Sequence, residues 1–403
     1  MSPVRLSQWR TGLAVVAVRA VNGVSRRAGR GAGTVAGGNA GLGIDPHLLE
    51  RLARGREIAL ISGTNGKTTT TAMVTRGWGV PVATNGTGAN MPAGHVAALV
   101  ASRAPHAALE CDERWLPEVV DQLAPRVVVL LNLSRDQLDR AAEVRRLAER
   151  WREVLGTGEF VVVANASDPL VAYAAGTAPH VHWCAAPTTW TLDARSCPAC
   201  TRELMSGPEG WRCSCGFAQP PAASYLEEGD AVVRGTPVPL ALGLPGRVNR
   251  GNALLALAAL SELGIEPSAA APRLAALREV EGRYGVTEIG GQPVRLLLAK
   301  NPAGFAAQLE DQAQGSGPLW IAINDGVADG RDPSWLYDVP FEQIRGRPVW
   351  CLGSRRLDLA TRLWYGGVEA TVVEGALPRH DGVIDVLANY TAFQDLRRGV
   401  VAP

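Results

Sequence analysis

Only two lysines stand among the 40 Lys and Arg residues of this chain, Lys67 and Lys300. The first closes the run Gly63-Thr64-Asn65-Gly66-Lys67-Thr68-Thr69. Glycines so spaced let backbone N–H groups converge on phosphate oxygens, and a helix starting there adds its positive end. On this reading Lys67 bridges the β- and γ-phosphates of ATP, while Thr68 or Thr69 holds Mg²⁺ through its hydroxyl. The common phosphate-loop pattern has a further glycine where this chain has Ile61. Carboxylates follow two apolar runs downstream: Glu110, Asp112 and Glu113 after the first, and Asp136 and Asp139 after the second, which ends in Asn132. Each cluster alone is an acidic helix start favoured by the macrodipole. Behind a phosphate loop, at the carboxyl ends of parallel strands, Glu110 is instead suited to hold Mg²⁺ or to polarise a metal-bound water.

Cysteine supplies the second chemistry. Cys197-Pro-Ala-Cys200 and Cys213-Ser-Cys215 put four thiolates on two tight turns, a donor set that suits tetrahedral Zn²⁺ in a closed, structural site. The second pair has one intervening residue rather than the usual two, which tightens the knuckle. A thiol used as a nucleophile needs a depressed pKa and a histidine partner. Cys111 sits among acids, Cys351 lies in an apolar run, and Cys184, near His180 and His182, is the one local candidate. A nucleophilic cysteine is therefore not expected.

These side chains need a framework to bring them together. Short β-branched runs at 58–61, 127–131 and 160–163 alternate with helical patterns such as 135–154. That alternation predicts an α/β fold with a mostly parallel sheet. The phosphate loop then falls between a buried strand at 57–62 and a helix at 70–78, the context it requires. The block 184–222 breaks the pattern and reads as a small insertion; a long Ala/Leu helix follows at 252–263. A second α/β unit begins near Tyr284, with strands near 294–298, 319–323, 349–352 and 370–373. The passage 29–43 is glycine-rich and low in complexity.

Composition bounds the rest. With 403 residues, 46% of them hydrophobic and 20% charged, the chain suggests two to three domains and excludes global disorder. A net charge of +1 gives no field that favours nucleic acid. No apolar run approaches the ~20 residues of a membrane-spanning helix, and the run 13–18 is too short for a signal peptide, so a cytoplasmic protein is expected. Segment 5–30, with Arg5, Arg10, Arg19, Arg26, Arg27 and Arg30, is either an ordinary packed helix or a basic helix resting on an anionic membrane.

Taken together, Gly63-Thr-Asn-Gly-Lys-Thr-Thr, the Glu110 strand and Asn132 with Asp136-Gln137-Leu-Asp139 resemble the Mur ligase family of ATP-dependent amide-forming enzymes, whose phosphate loop has this form and accounts for Ile61. Further pieces narrow the resemblance to the MurT-like branch. They are Asn85-Gly-Thr-Gly-Ala-Asn90-Met91, the four-cysteine ribbon, Gly246-Arg-Val-Asn249-Arg-Gly-Asn252, Gly282-Arg283, Lys300-Asn301-Pro302-Ala-Gly304 and, most distinctively, Asn324-Asp325 through Arg331-Asp332-Pro-Ser-Trp335-Leu-Tyr-Asp338. The likeness runs from about residue 10 to 398.

The resemblance implies a Mur ligase-like ATP-binding domain over 51–283 with the zinc-ribbon insertion at 184–222, after an N-terminal segment 1–50 and before a C-terminal α/β domain at 284–403. It implies ATP, Mg²⁺ and structural Zn²⁺. The reaction would amidate the D-glutamate α-carboxyl of lipid II at the inner face of the membrane, with ammonia from a GatD-like glutaminase partner. Gly63 to Thr69 would contact ATP, Glu110 and Thr68 Mg²⁺, Asn249 and Asn252 adenine, and Arg283 the ribose or phosphates. Asn85 and Asn90 would face the substrate, and Asp332 or Asp338 would reach the glutaminase site. Two departures set the chain apart from peptide-forming relatives: Gln137 and Arg140 replace the metal-binding pattern, and no lysine between Lys67 and Lys300 could be carbamylated. A ligase that adds an amino acid, and a nucleotide-binding scaffold for a glutaminase, are the competing expectations.

Overall fold

The computed structural model describes residues 3–27, 34–86, 88–135, 141–188, 192–280, 284–313, 315, 317–327, 329–375 and 377–399. Three helices open the chain, α1 (Pro3–Arg27), α2 (Thr34–Ile44) and α3 (Leu48–Ala53). The first α/β unit follows with β1 (Glu57–Ser62), α4 (Lys67–Trp78), β2 (Val82–Thr84), α5 (Pro92–Ala101), β3 (His106–Cys111), α6 (Leu116–Leu123), β4 (Val127–Leu130), α7 (Ala141–Leu155), β5 (Val161–Asn165), α8 (Pro169–Ala175) and β6 (Val181–Ala185). A hairpin, β7 (Leu204–Gly207) and β8 (Gly210–Cys213), precedes β9 (Ser224–Glu227), β10 (Asp230–Val233), β11 (Thr236–Val238), α9 (Arg247–Glu262) and α10 (Pro267–Ala275). The second unit holds β12 (Tyr284–Ile289), β13 (Gln292–Leu298), α11 (Pro302–Gln312), β14 (Leu319–Ala322), β15 (Val349–Leu352), α12 (Arg356–Tyr365), β16 (Ala370–Val372), β17 (Ile384–Ala388) and α13 (Tyr390–Arg397).

Among the described residues the first unit is a nine-stranded sheet in the order β11-β10-β9-β6-β5-β4-β1-β3-β2, parallel from β2 to β9 and closed by an antiparallel meander. A parallel sheet must bury both faces, so its strands are continuous apolar runs, as in Val127–Leu130 and Val161–Asn165. Alternation sorts β1 between two cores. Ile58 and Leu60 join Leu109 and Trp151 on one face; Ala59 and Ile61 join Ala108, Met73 and α9 on the other. Residues 251–260 of α9 are all buried, the mark of a helix apolar all round that fills the centre of a domain. The second unit is a six-stranded sheet, β12-β13-β17-β14-β15-β16, parallel except at its β12–β13 edge.

The glycine-rich passage holds a surprise, because its part 34–44 is a helix. Glycine has poor helix propensity, about 1 kcal/mol below alanine, so packing must decide. A Cβ on Gly38 would overlap the Ala93 carbonyl in the first turn of α5, and one on Gly37 would overlap the Asn22 side chain of α1. A Cβ on Gly41 would lie 2.8 Å from Leu48 Cδ2. The missing side chains let α2 sit against two helices at backbone distance. Gly38→Ala gains about 1 kcal/mol of propensity but forces α2 off α5, at a cost of roughly 3 kcal/mol. The net expectation is a loss of about 2 kcal/mol in denaturant unfolding. Gly43→Ala, with nothing within 4 Å, is the control and should leave stability unchanged or raise it.

Candidate active site

The site forms where α4 leaves β1. Gly63 at φ 142° and Gly66 at φ 88° take backbone conformations that side chains disfavour. A Cβ on Gly66 would lie 2.7 Å from Asn252 Oδ1, and one on Gly63 would lie 2.9 Å from Leu131 Cβ. Gly66 caps α4 without a side-chain hydrogen bond, so the first-turn N–H groups face the cavity with no side chain of the cap on them. The loop is clamped from the strand beside it. Asn65 N–H donates to Asn132 Oδ1 at 2.9 Å, Asn132 Nδ2 returns a bond to the Asn65 carbonyl at 3.0 Å, and Thr64 Oγ1 donates to the Ser134 carbonyl at 3.1 Å.

Lys67 is poised there. Its ammonium donates to Glu113 Oε2 at 2.9 Å, to the Thr64 carbonyl at 3.1 Å and to the Gly63 carbonyl, with both side chains of the ion pair about nine-tenths buried. A triphosphate arriving in the loop would find the cation already aimed and would exchange with Glu113 for it. Asp112 and Glu113 line the cavity; Glu110 does not. Glu110 is fully buried on the sheet face that α4 covers, since it shares that face with Ala108 in β3. Both of its carboxylate oxygens lack a hydrogen-bond partner. A buried carboxylate without partners is costly, and its setting against the α4 face fits a divalent cation shared with Thr68, which is buried and lines the cavity. The residues present therefore suit ATP and Mg²⁺.

The cavity, about 430 Å³, is walled by both α/β units. From the first come Lys67, Thr68, Asn90 and Asn252; from the second come Lys300 and Gly304. Asn65 and Asn301 exchange amide hydrogen bonds of 3.2 and 3.3 Å across the junction, and Arg247 pairs with Glu310 at 2.8 Å. Asn249 and Asn252 line the same cavity, joined by a 3.4 Å hydrogen bond. Gly63 closes the back of the loop, while Thr64, Asn65 and Thr69 line the opening.

The structure separates the two asparagines assigned to substrate. Asn85 is buried and spends its amide inside the fold, accepting from Glu110 N–H at 2.9 Å and donating to the Glu110 and Ala89 carbonyls. Asn90 faces the cavity, and its carbonyl accepts from Asp112 N–H at 2.8 Å. His95 bonds the Glu110 carbonyl through Nε2, and burial pushes its pKa down to about 4, so it stays neutral. Asp136, Gln137, Asp139, Arg140 and Arg283 lie outside the described residues.

Asp332 and Asp338 stand apart from the cavity. Asp332 caps a 3₁₀ turn over Pro333–Asp338, accepting from Ser334 N–H, and is exposed. Asp338 lies 3.6 Å from Arg135, which also pairs with Asp193 at the base of the insertion. The linking roles of Arg135 and Asn301, and the Glu113 latch, were missed in the sequence. Glu113 stood in a cluster that an acidic helix start explains equally well, and nothing local marks a long-range pair.

The four cysteines of the insertion converge. Their sulfurs lie within 4.8 Å of one another, with Cys197 to Cys215 at 3.8 Å and Cys200 to Cys213 at 3.5 Å. A tetrahedron with Zn–S of 2.3 Å has edges of about 3.8 Å, so the donor set fits zinc. The other thiols are unsuited to nucleophilic work. Cys111, Cys184 and Cys351 are all buried, and burial is the largest cause that raises each pKa, to about 12 for Cys351. Asp112 pushes Cys111 further up. His182 beside Cys184 is engaged by Glu262 at 2.6 Å and Ser224 at 2.8 Å.

A phosphate loop at the carboxyl edge of a parallel sheet, facing a second α/β unit, gives the chain a Mur ligase-like fold, and such a loop suits ATP and Mg²⁺. Residues 61–187 match the Mur ligase middle domain, and residues 298–393 match the MurT ligase C-terminal domain. The chain is 29% identical over 400 residues to the lipid II isoglutaminyl synthase (glutamine-hydrolyzing) subunit MurT of Staphylococcus aureus, covering 91% of this chain and 90% of that one. It is 28% identical over 447 residues to the subunit of the same name from Streptococcus pneumoniae, covering 96% of both. In fold it is similar to a pseudomurein peptide ligase type C from Methanothermus fervidus, with a TM-score of 0.64, 18% identity and coverage of 88% of this chain and 80% of that one. These likenesses support an ATP-dependent ligase of the Mur type working in peptidoglycan synthesis. Among the described residues no helix is long and apolar enough to cross a membrane.

Proposed function

We propose that this chain is the synthetase subunit of an enzyme that amidates the D-glutamate α-carboxyl of lipid II at the inner face of the membrane. The observation that carries the reading is the cavity shared by the two units, with Lys67 on one wall and Lys300 on the other. Expelling oxide from a carboxylate is prohibitive, so the carboxylate must first be activated. It attacks the γ-phosphorus of ATP and releases ADP, and the product is an acyl phosphate. Ammonia then adds at the acyl carbon, loses a proton and expels inorganic phosphate, leaving the amide.

Lys67 and the α4 N-terminus would neutralise charge on the transferred phosphoryl. Mg²⁺, when bound by Thr68 and Glu110, would supply further positive charge against the β- and γ-phosphates. Asn249 and Asn252 are assigned to adenine, Arg283 to the ribose or phosphates, and Asn90 to the substrate side. A cavity walled on two sides limits the access of water to an acyl phosphate, and the Asn65–Asn301 pair holds the two walls together.

A glutaminase partner is proposed because every cysteine outside the zinc knuckle is buried and held as a thiol. The names of the similar proteins add weight, since each is a subunit of a glutamine-hydrolysing synthase. The partner would be GatD-like, meeting the chain at Asp332 or Asp338. The test is reconstitution: the chain with and without such a glutaminase, supplied with lipid II, ATP and glutamine, or with an ammonium salt. Amidated lipid II from glutamine only with the partner, and from ammonium without it, is expected. No amidation under either condition would remove the proposal, and ADP release driven by a free amino acid would replace it with a peptide-forming ligase.

A further inference from the structure

Helix α1 has a covered side and, opposite it, an apolar side that nothing among the described residues covers. Ala14, Val18 and Asn22, spaced by four, are buried against α2 and the rest of the first core. On the other side Trp9, Leu13, Val16 and Val24 are exposed by 68%, 57%, 63% and 65%. At 100° per residue these four fall within a stripe of about 80°, centred opposite the buried one. A row of large apolar side chains along one helix, left open to water for several turns, asks for an occupant.

The charge says which one. The first 44 residues contain six arginines and no Asp or Glu. They leave 34 of the 40 cations against all 39 anions, a net −5, for the remainder of the chain. The near-neutral total thus hides a strongly basic first layer. Arg19, Arg26 and Arg27 are exposed along α1, and Arg27 follows Val24 by three, on the same side. The nearest acid in sequence, Asp45, is buried and paired with Arg51 and Thr11. Exposed Trp, Leu and Val with arginines beside them, in a stretch of sequence without Asp or Glu, are what a helix lying in the headgroup region of an anionic bilayer needs.

We propose that α1 is an interfacial membrane anchor, lying in the plane of an anionic phospholipid surface with Trp9, Leu13, Val16 and Val24 turned into it. The covered side of α1 packs on α2, and α2 presses on the first turn of α5, immediately after Asn90 at the cavity. Docking would therefore hold the mouth of the cavity at a fixed relation to the lipid surface. The proposal does not depend on the substrate assigned above, because it concerns bare phospholipid.

The test uses the full chain and vesicles without lipid II, one set of phosphatidylcholine alone and one with phosphatidylglycerol added, scored by co-sedimentation at low and high salt. Binding to the anionic set, weakened by salt and at least tenfold poorer on the neutral set, is expected. Leu13→Ser with Val16→Ser, both at exposed positions, should cut binding at least tenfold while leaving thermal unfolding unchanged. Arg19→Gln and Arg26→Gln should each cost about fivefold, equivalent to ~1 kcal/mol per charge near the surface. Brominated lipid should quench the fluorescence difference between the parent chain and Trp9→Phe. Absence of binding to anionic vesicles, or equal binding by the Leu13/Val16 variant, overturns the proposal. So does a concentration-dependent dimer that the same variant abolishes, because the occupant would then be a second copy.

Discussion

Lys67→Ala is expected to lower ATP-dependent turnover by about 10²–10³-fold, the loss found when one preorganised donor is removed from a developing anion. In the resting site the ammonium donates, among the described residues, to Glu113 and to the Gly63 and Thr64 carbonyls, enough acceptors for its three protons. Its position is thus fixed before nucleotide arrives, and little reorganisation is needed when phosphate replaces Glu113. Alanine removes that charge where α4 begins and leaves Glu113 nearly buried without its cation. Nucleotide binding should weaken as well, because the uncompensated carboxylate then faces the phosphates. Lys67→Arg should not rescue turnover, since a planar guanidinium cannot reproduce three bonds radiating from one nitrogen. Product formation under single-turnover conditions, together with calorimetric titration of ADP, separates the two effects. Wild-type turnover in Lys67→Ala would show that the chemistry lies elsewhere in the molecule.

The phosphate loop was legible because its residues are local in sequence. Gly63 through Thr69 form one contiguous loop between a strand and a helix, and apolar runs such as Val127–Leu130 can be little else in a parallel sheet. The helix Thr34–Ile44 was not legible, since propensity argues against it and its cause is the contact of Gly38 with Ala93 from another helix. Side-chain direction was equally hidden. Glu110, Asp112 and Glu113 read as one acidic cluster, yet the strand sends Glu110 beneath α4 while Asp112 and Glu113 turn to the cavity. Asn85 and Asn90 read as one motif, and a buried amide separates them. The ties between the units, Asn65 to Asn301 and Arg135 to Asp338, span more than 200 residues and leave no local trace. Periodicity locates elements; it does not say which of their polar atoms will meet.

Cys200→Ser is expected to release zinc and to unfold the insertion while the two sheets stay folded. The hairpin of β7 and β8 has four residues per strand, too little to be stable alone in water. Among the described residues from 192 to 222 few are buried: Cys197, Pro198, Trp211 and Cys213. Trp211 and Phe217 meet at a tilt with ring centroids 4.8 Å apart, Phe217 meets Tyr173 edge-on, and Trp211 Nε1 donates to the Ala166 carbonyl at 3.1 Å. Those contacts dock the knuckle, but the four thiolates must close it, and metal binding of this kind is itself folding free energy. Serine offers a hard hydroxyl in place of a thiolate and leaves three sulfur ligands. Metal analysis should give one zinc per chain for the parent and for Cys184→Ser, whose buried sulfur belongs to β6, and markedly less for Cys200→Ser. Limited proteolysis should then cut within 195–220 first. Because Asp193 at the base of the insertion and Asp338 share Arg135, loosening the knuckle should also weaken the tie between the units. Turnover is therefore expected to fall by a few-fold even though no cysteine lines the cavity. A parent protein purified without zinc, or a Cys200→Ser chain that keeps it, would show that the sulfurs gather for another reason.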